Sequence, residues 1–237
     1  MSFLTAEWRK LCFANYAVDP KVLQPYLPAH CELDFFEGKC YVSFVGFLFD
    51  NVKLKGISIP FHTRFEEVNL RFYVKYRDNG VWKRGTVFIS EIVNKPAIAL
   101  IANTFYNEKY SLCAMDYKHA LGETENTFSY ELKIGKKWQI FSVTTAKELK
   151  PFATGSATEF ITEHYWGYSQ KSKSQSIEYE VRHPKWEAYE VKNYKIDIDF
   201  GAIYGAAFSD FTHKKPDSVM CMEGSSISIE GKILLTK

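Results

Sequence analysis

The chain has 237 residues, with 30 basic and 28 acidic side chains and a net charge of +2. This balance leaves no basic field of the kind that holds nucleic acid or an anionic membrane surface. Hydrophobic residues make up 46% of the chain. No apolar run approaches the ~18 residues of a membrane span, so a soluble globular protein is expected.

The predicted elements are mostly strands, with a few short helices between them. "DPKVLQPYLP" (19–28) opens on an N-cap-like Asp followed by Pro and is stopped by further prolines, which fits a short helix. "CELDFFEGKCYVSFVGFLFDNVKL" (31–54) reads as two strands joined by a turn at Glu37-Gly38-Lys39. "VNLRFYVKYRDNGVWKRGTVFISEIV" (68–93) repeats that form around Asp78-Asn79-Gly80, where Asn-Gly supplies the positive φ of a tight hairpin. Pro96 opens a helix over Ala97 to Asn103, and a strand follows near Tyr110 to Met115. Two alternating stretches, 127–134 and 138–145, meet at Gly135-Lys136. Ser156 with Glu159 three residues on has capping-box spacing, predicting a helix from about Ala157 to Tyr168. Strands resume through Tyr179, Val191, Ile196 and Ser226 to Leu235. Hairpin-length turns favour antiparallel pairing, and a sheet this long must curl or close to manage its edges. The expected fold is mainly β (α+β): a curled antiparallel barrel or half-barrel over residues 1–237 as one domain.

Aromatic residues reach 16%, with 19 Phe and 15 Tyr. Such rings suit strands, fill cores and wall ligand cavities. The five cysteines (12, 31, 40, 113 and 221) include no C-x-x-C, which fits unpaired thiols in a reducing compartment. "MSFLTAEWRKL" meets charge before any long apolar stretch and lacks a signal-peptide core. A cytoplasmic location is expected. The six histidines are scattered without H-x-H or H-E-x-x-H spacing, so neither a metal nor another cofactor is expected. No G-x-S-x-G or G-x-G-x-x-G occurs. Glu91 and Ser90 sit side by side on one predicted strand and point to opposite faces.

The stretch "RFEEVNLRFYVKY" (64–76) holds the main candidate site. One face of this period-2 strand carries Glu66, Val68, Leu70, Phe72 and Val74, and the other Phe65, Glu67, Asn69, Arg71 and Tyr73. The second row fits either a wet outer face or the polar lining of a cavity, and the pattern alone favours the wet face. Pointing inward, it would need mutual satisfaction or a polar ligand. Arg71 would then anchor a ligand carboxylate through its two-pronged donor set.

Four stretches together, "FEEVNLRFYV", "GTVFISEI", "TEFITEHYWGYS" and "VRHPKWEAYEV", resemble the YqjF-like family of uncharacterised bacterial proteins. The resemblance runs from about Trp8 to Ser226 and is most specific at Glu67, Asn69, Arg71 and Tyr73. It implies that this row lines a cavity, with Asn69, Arg71, Tyr73, Tyr165 and Trp186 as ligand-binding residues. His164 stands where the family usually carries Arg. More distantly the chain is similar to acetoacetate decarboxylase. That similarity implies a curled barrel with a hydrophobic pocket, in which a buried lysine forms a Schiff base with a β-keto acid while a neighbouring lysine depresses its pKa. Lys109 falls at the reactive lysine, Tyr110 at its partner and Glu67 at the pocket glutamate.

The function expected is a cytoplasmic small-molecule-binding barrel with a partly polar cavity for an apolar carboxylate or carbonyl ligand. Its partners are a small molecule, with no nucleic acid and no membrane; a homodimer is left open. One alternative is a decarboxylase-like carbon–carbon lyase with Lys109 as the amine and Glu67 as assisting acid or base. The other is a protein-interaction module presenting an outward aromatic patch.

Overall fold

The computed structural model describes residues 2–236. In chain order the first half comprises β1 (Leu4–Val18), α1 (Pro20–Leu23), β2 (Cys31–Leu33), β3 (Cys40–Leu54), β4 (Phe65–Asp78), β5 (Val81–Val93), α2 (Pro96–Tyr106) and β6 (Tyr110–Leu112). The second half comprises β7 (Ala114–Leu121), β8 (Glu125–Ile134), β9 (Lys137–Lys150), α3 (Ala157–Thr162), β10 (Trp166–Ser172) and β11 (Gln175–Arg182). It ends with β12 (Ala188–Asp197), α4 (Phe200–Tyr204), β13 (Ser218–Ile229) and β14 (Ile233–Leu235).

Seven strands form a ring in the order β11-β10-β5-β4-β3-β1-β13, closed where β13 pairs with β11 through Val181–Ile229 and Arg182–Ser228. Closure removes the edges that a long open sheet would expose. Most ladders are antiparallel, but β10 and β6 each run parallel to β5. The sheet is therefore mixed, with the antiparallel pairing that hairpin-length turns favour in the majority and two parallel pairings at β5. From β13 the sheet continues outside the ring through β12, β9, β8 and β7.

This extension buries the outer face of the ring. Phe44 of β3, Leu70 and Phe72 of β4 and Val87 of β5 share one core with Phe128, Tyr130, Phe141 and Phe200. Each such side chain contributes roughly 1.5–3 kcal/mol on burial. A second core fills the inside of the ring with Phe13, Val45, Phe47, Phe65, Phe160 and Trp186. Both faces of β4 are thus buried, which is why its period-2 pattern looks demanding on both sides.

Asn79 (φ 47°) and Gly80 (φ 88°) make the β4–β5 turn as expected. The Ser156 hydroxyl caps α3 by accepting from the Glu159 N–H at 3.2 Å. The helix stops at Thr162 rather than Tyr168, because residues from Trp166 pair as β10 with β5 and β11. β2 pairs with β4 instead of forming a hairpin with β3. β1, 15 residues long, occupies a stretch in which no element was expected. All five cysteines are free. Cys12 and Cys221 are cross-strand partners with Sγ atoms 3.8 Å apart, whereas Cys31 lies opposite Tyr76.

Candidate functional site

The ring and α2 surround a partly open void of about 100 Å³, room for several water molecules. Most of its wall is apolar, including Trp8, Phe47, Phe49, Phe65 and Phe88, and one part is polar. The polar part begins on β4. Glu67, Asn69 and Arg71 alternate onto the inner face, with relative exposures of 2%, 1% and 8%, and all three line the void. Tyr73, next in the row, is buried but does not reach the void wall. Its hydroxyl hydrogen-bonds the Ser43 hydroxyl at 2.6 Å.

β5 adds Glu91, directly opposite Asn69. Simple alternation from the inward Phe88 would turn Ser90 in and Glu91 out. The register shifts between Leu70 and Arg71, leaving Ile89 as an extra residue between Phe88 and Ser90. Such a bulge re-aims the side chains beyond it, and Glu91 joins Phe88 on the void wall.

The stretch that leads from α2 into β6 adds Glu108 and Tyr110. Asn107, with φ 54°, ends α2 in the left-handed conformation. Asn103 of α2 then holds both backbone groups of Tyr110, accepting its N–H at 2.7 Å and donating to its carbonyl at 3.0 Å. The chain beyond is extended, so Glu108 and Tyr110 point in and Lys109 between them points out. Tyr179 arrives from β11 because Gly167 opposite leaves its ring room. A Cβ on Gly167 would lie 2.1 Å from the Tyr179 Cζ.

Hydrogen bonds join these groups in two sets. Asn69 Nδ2 donates to Glu67 Oε1 at 2.9 Å, and Tyr110 Oη to Glu67 Oε2 at 2.8 Å. Tyr179 Oη donates to Glu108 Oε1 at 2.7 Å. Burial discourages ionisation of all three carboxyls. It pushes Glu67 up to about 7, against the hydrogen bonds from Asn69 and Tyr110 and the charge of Arg71. It pushes Glu108 up to about 8, against the Tyr179 hydrogen bond. Glu91 is raised well above the usual carboxylate range by burial and then by Glu108 and Glu67 beside it. Glu91 Oε2, Asn69 Oδ1 and Arg71 Nε are buried and have no partner among the described residues.

Among the described residues Arg71 makes one hydrogen bond, from Nη2 to the Ile161 carbonyl at 3.4 Å, and its guanidinium lies over the Phe13 and Tyr73 rings. Among the described residues no carboxylate comes within 4.0 Å of it. His164 also lines the void. Its Nε2 lies 3.3 Å from Asp34 Oδ2, which also accepts from Arg84 Nε at 2.6 Å, and its Nδ1 has no partner among the described residues. Burial lowers its pKa to about 4, against the pull of Asp34, so the imidazole is neutral near pH 7.

Of the residues singled out in the sequence, the structure therefore brings Glu67, Asn69, Arg71 and Trp186 to one void. Trp186 stacks on His183 with ring centroids 4.3 Å apart and donates from Nε1 to Ser225 at 2.9 Å. Tyr165 is not on the void wall; its hydroxyl donates to Glu163, and its ring packs on His183. Lys109 is not brought to the site either. It is exposed, with its ammonium 5.1 Å from the Tyr26 ring centroid, and among the described residues no lysine lines the void. The amine and Glu67 are thus separated by the alternation of the extended chain. Glu91, Glu108, Tyr110, His164 and Tyr179 add to the polar wall, together with Thr86, Thr162 and His183. The alternation in "NEKY" signals Glu108 and Tyr110, but no local signal marks the bulge that turns Glu91 inward. Among the described residues no group of three His, Cys, Asp or Glu is spaced to hold a metal ion.

A strand ring closed around a partly polar interior, with an outer sheet packed on it, is the acetoacetate decarboxylase-like fold. The chain superimposes on acetoacetate decarboxylase from Legionella pneumophila with a TM-score of 0.66 at 16% identity, covering 98% of this chain and 87% of that one. It matches an acetoacetate decarboxylase-like enzyme from Sphingomonas wittichii RW1 at 0.65 and 12% identity, covering 100% and 94%. The enduracididine biosynthesis enzyme MppR, complexed with pyruvate, gives 0.67 at 11% identity, covering 100% and 91%. At these identities the likeness is one of fold. The chain itself belongs to the DUF2071 family, described as an uncharacterized conserved protein, whose model matches residues 5–226. It is 32% identical over 104 residues to the uncharacterized protein YqjF of Bacillus subtilis (strain 168), a match spanning 44% of this chain and 41% of that protein.

Proposed function

We propose that the protein binds a small, largely apolar molecule bearing a carboxylate or carbonyl group, held in the ring with Arg71 as its anchor. The observation that carries this reading is the state of Arg71. A guanidinium keeps its charge in proteins, and a buried charge is costly unless paired. Arg71 is buried at the void wall, with Nε unpartnered and no carboxylate in reach among the described residues. A ligand oxygen would supply the missing acceptor, and the apolar wall would take the rest of the molecule.

Native mass spectrometry of the protein, alone and with a panel of short carboxylic acids, oxo acids and ketones, tests the reading. Arg71→Ala is expected to lose ligand retention while keeping its circular dichroism spectrum. Retention unchanged in that variant would sink the anchor. The covalent alternative through Lys109 has a separate test. Borohydride reduction with the same panel is expected to add no mass, because the amine lies outside the void. An adduct that disappears in Lys109→Ala would instead make amine chemistry the activity.

A further inference from the structure

We propose that Glu91 is an acid–base residue toward the ligand anchored at Arg71, and that the site interconverts the keto and enol forms of a short oxo acid without a covalent amine intermediate. This rests on the reading of Arg71 as anchor. Glu91 lies opposite Asn69, two residues along β4 from Arg71. Diagonal neighbours of this kind sit ~7–8 Å apart at the backbone. Side chains converging from that spacing reach two functional groups on one small molecule.

The carboxyls facing this point have unlike surroundings. Both oxygens of Glu67 accept hydrogen bonds, from Asn69 and Tyr110, which favours its ionised form. Glu91 has a buried oxygen with no partner among the described residues and stands among Glu67, Asn69 and Arg71 of β4, Glu108 just before β6, Tyr110 of β6 and Tyr179 of β11. Buried beside Glu67 and Glu108, with Tyr110 as its hydrogen-bonding neighbour, Glu91 keeps its proton. A carboxylate and a carboxylic acid placed side by side in unlike environments form a base and an acid.

The step balances without any added reagent. The Glu67 carboxylate takes a proton from the carbon beside the ligand carbonyl. The C–H electron pair becomes the C=C bond, the carbonyl π pair moves to oxygen, and that oxygen takes the Glu91 proton. The reverse step restores the ketone, and exchange of the acidic protons with solvent deuterium between the two leaves a label on carbon.

The experiment follows 2-oxobutanoate in D2O by proton NMR, reading loss of the C3 proton signal, with saturation-transfer difference spectra reporting binding in the same tube. The wild-type protein is expected to bind and to exchange C3 faster than buffer. Glu91→Gln is expected to bind but to exchange about 100-fold more slowly, and Glu91→Asp to recover part of the rate. Binding with exchange at the buffer rate, or undiminished exchange in Glu91→Gln, overturns the acid–base role and leaves the anchor standing. If neither 2-oxobutanoate nor 2-oxohexanoate binds, the oxo-acid class and this inference fall, while the wider panel still decides the anchor.

Discussion

Three carboxyl groups and one histidine on the polar wall of the void bear on how this protein responds to pH. A buried carboxyl that holds its proton when folded, but releases it near pH ~4.3 when unfolded, makes the folded state the better proton binder. Stability then falls as pH rises between the two values. For Glu67 and Glu108 the window runs from the usual 4.5 to about 7 and about 8. His164 acts in the opposite sense. Its folded value is lowered to about 4 from 6.5, so stability from this group rises with pH across that interval and is constant above it. Above pH 6.5 the carboxyls act unopposed by His164. The urea midpoint is therefore expected to fall between pH 6.5 and 8.5. Glu108→Gln, which preserves an acceptor for Tyr179, is expected to stabilise the protein at pH 8.5 by on the order of 2–4 kcal/mol and to change little at pH 4. Equal effects at the two pH values would show that Glu108 ionises freely in the fold.

Among the elements, β4 and β10 show what was legible in the sequence and what was not. The alternation of β4 and its Asn-Gly turn depend on neighbouring residues, so the strand and its polar row could be read directly. Which way the row faces was not readable, because both faces of β4 are buried against different layers. The capping box at Ser156 marked where α3 begins. Its end is decided by β10 pairing with β5 and β11, strands distant or later in the chain. β10 also illustrates how a contact across the sheet restricts one residue. Gly167→Ala would drive a methyl into the Tyr179 ring. It is expected to cost roughly 1–3 kcal/mol and to move the Tyr179 hydroxyl off Glu108. A thermal melt within a degree of wild type would show that the ring shifts freely.

For the molecule as a whole, ring closure joins the two ends of the chain: β1 lies between β3 and β13, and β13 reaches back to β11. Removing residues 2–18 would take a strand from the middle of the ring rather than trim an end, and is expected to give an insoluble or molten chain. A soluble variant with a cooperative melt would contradict this. By itself the sequence determined what local chemistry can carry: the strand-rich composition, the hairpin at Asn79-Gly80, the helix start at Ser156 and the unusual row Glu67-Asn69-Arg71. Only the tertiary structure decided that the row faces a void, that a bulge at Ile89 turns Glu91 to join it, and that Lys109 faces away. Each depends on which strand lies alongside and which layer covers its far side, and those partners come from remote parts of the chain.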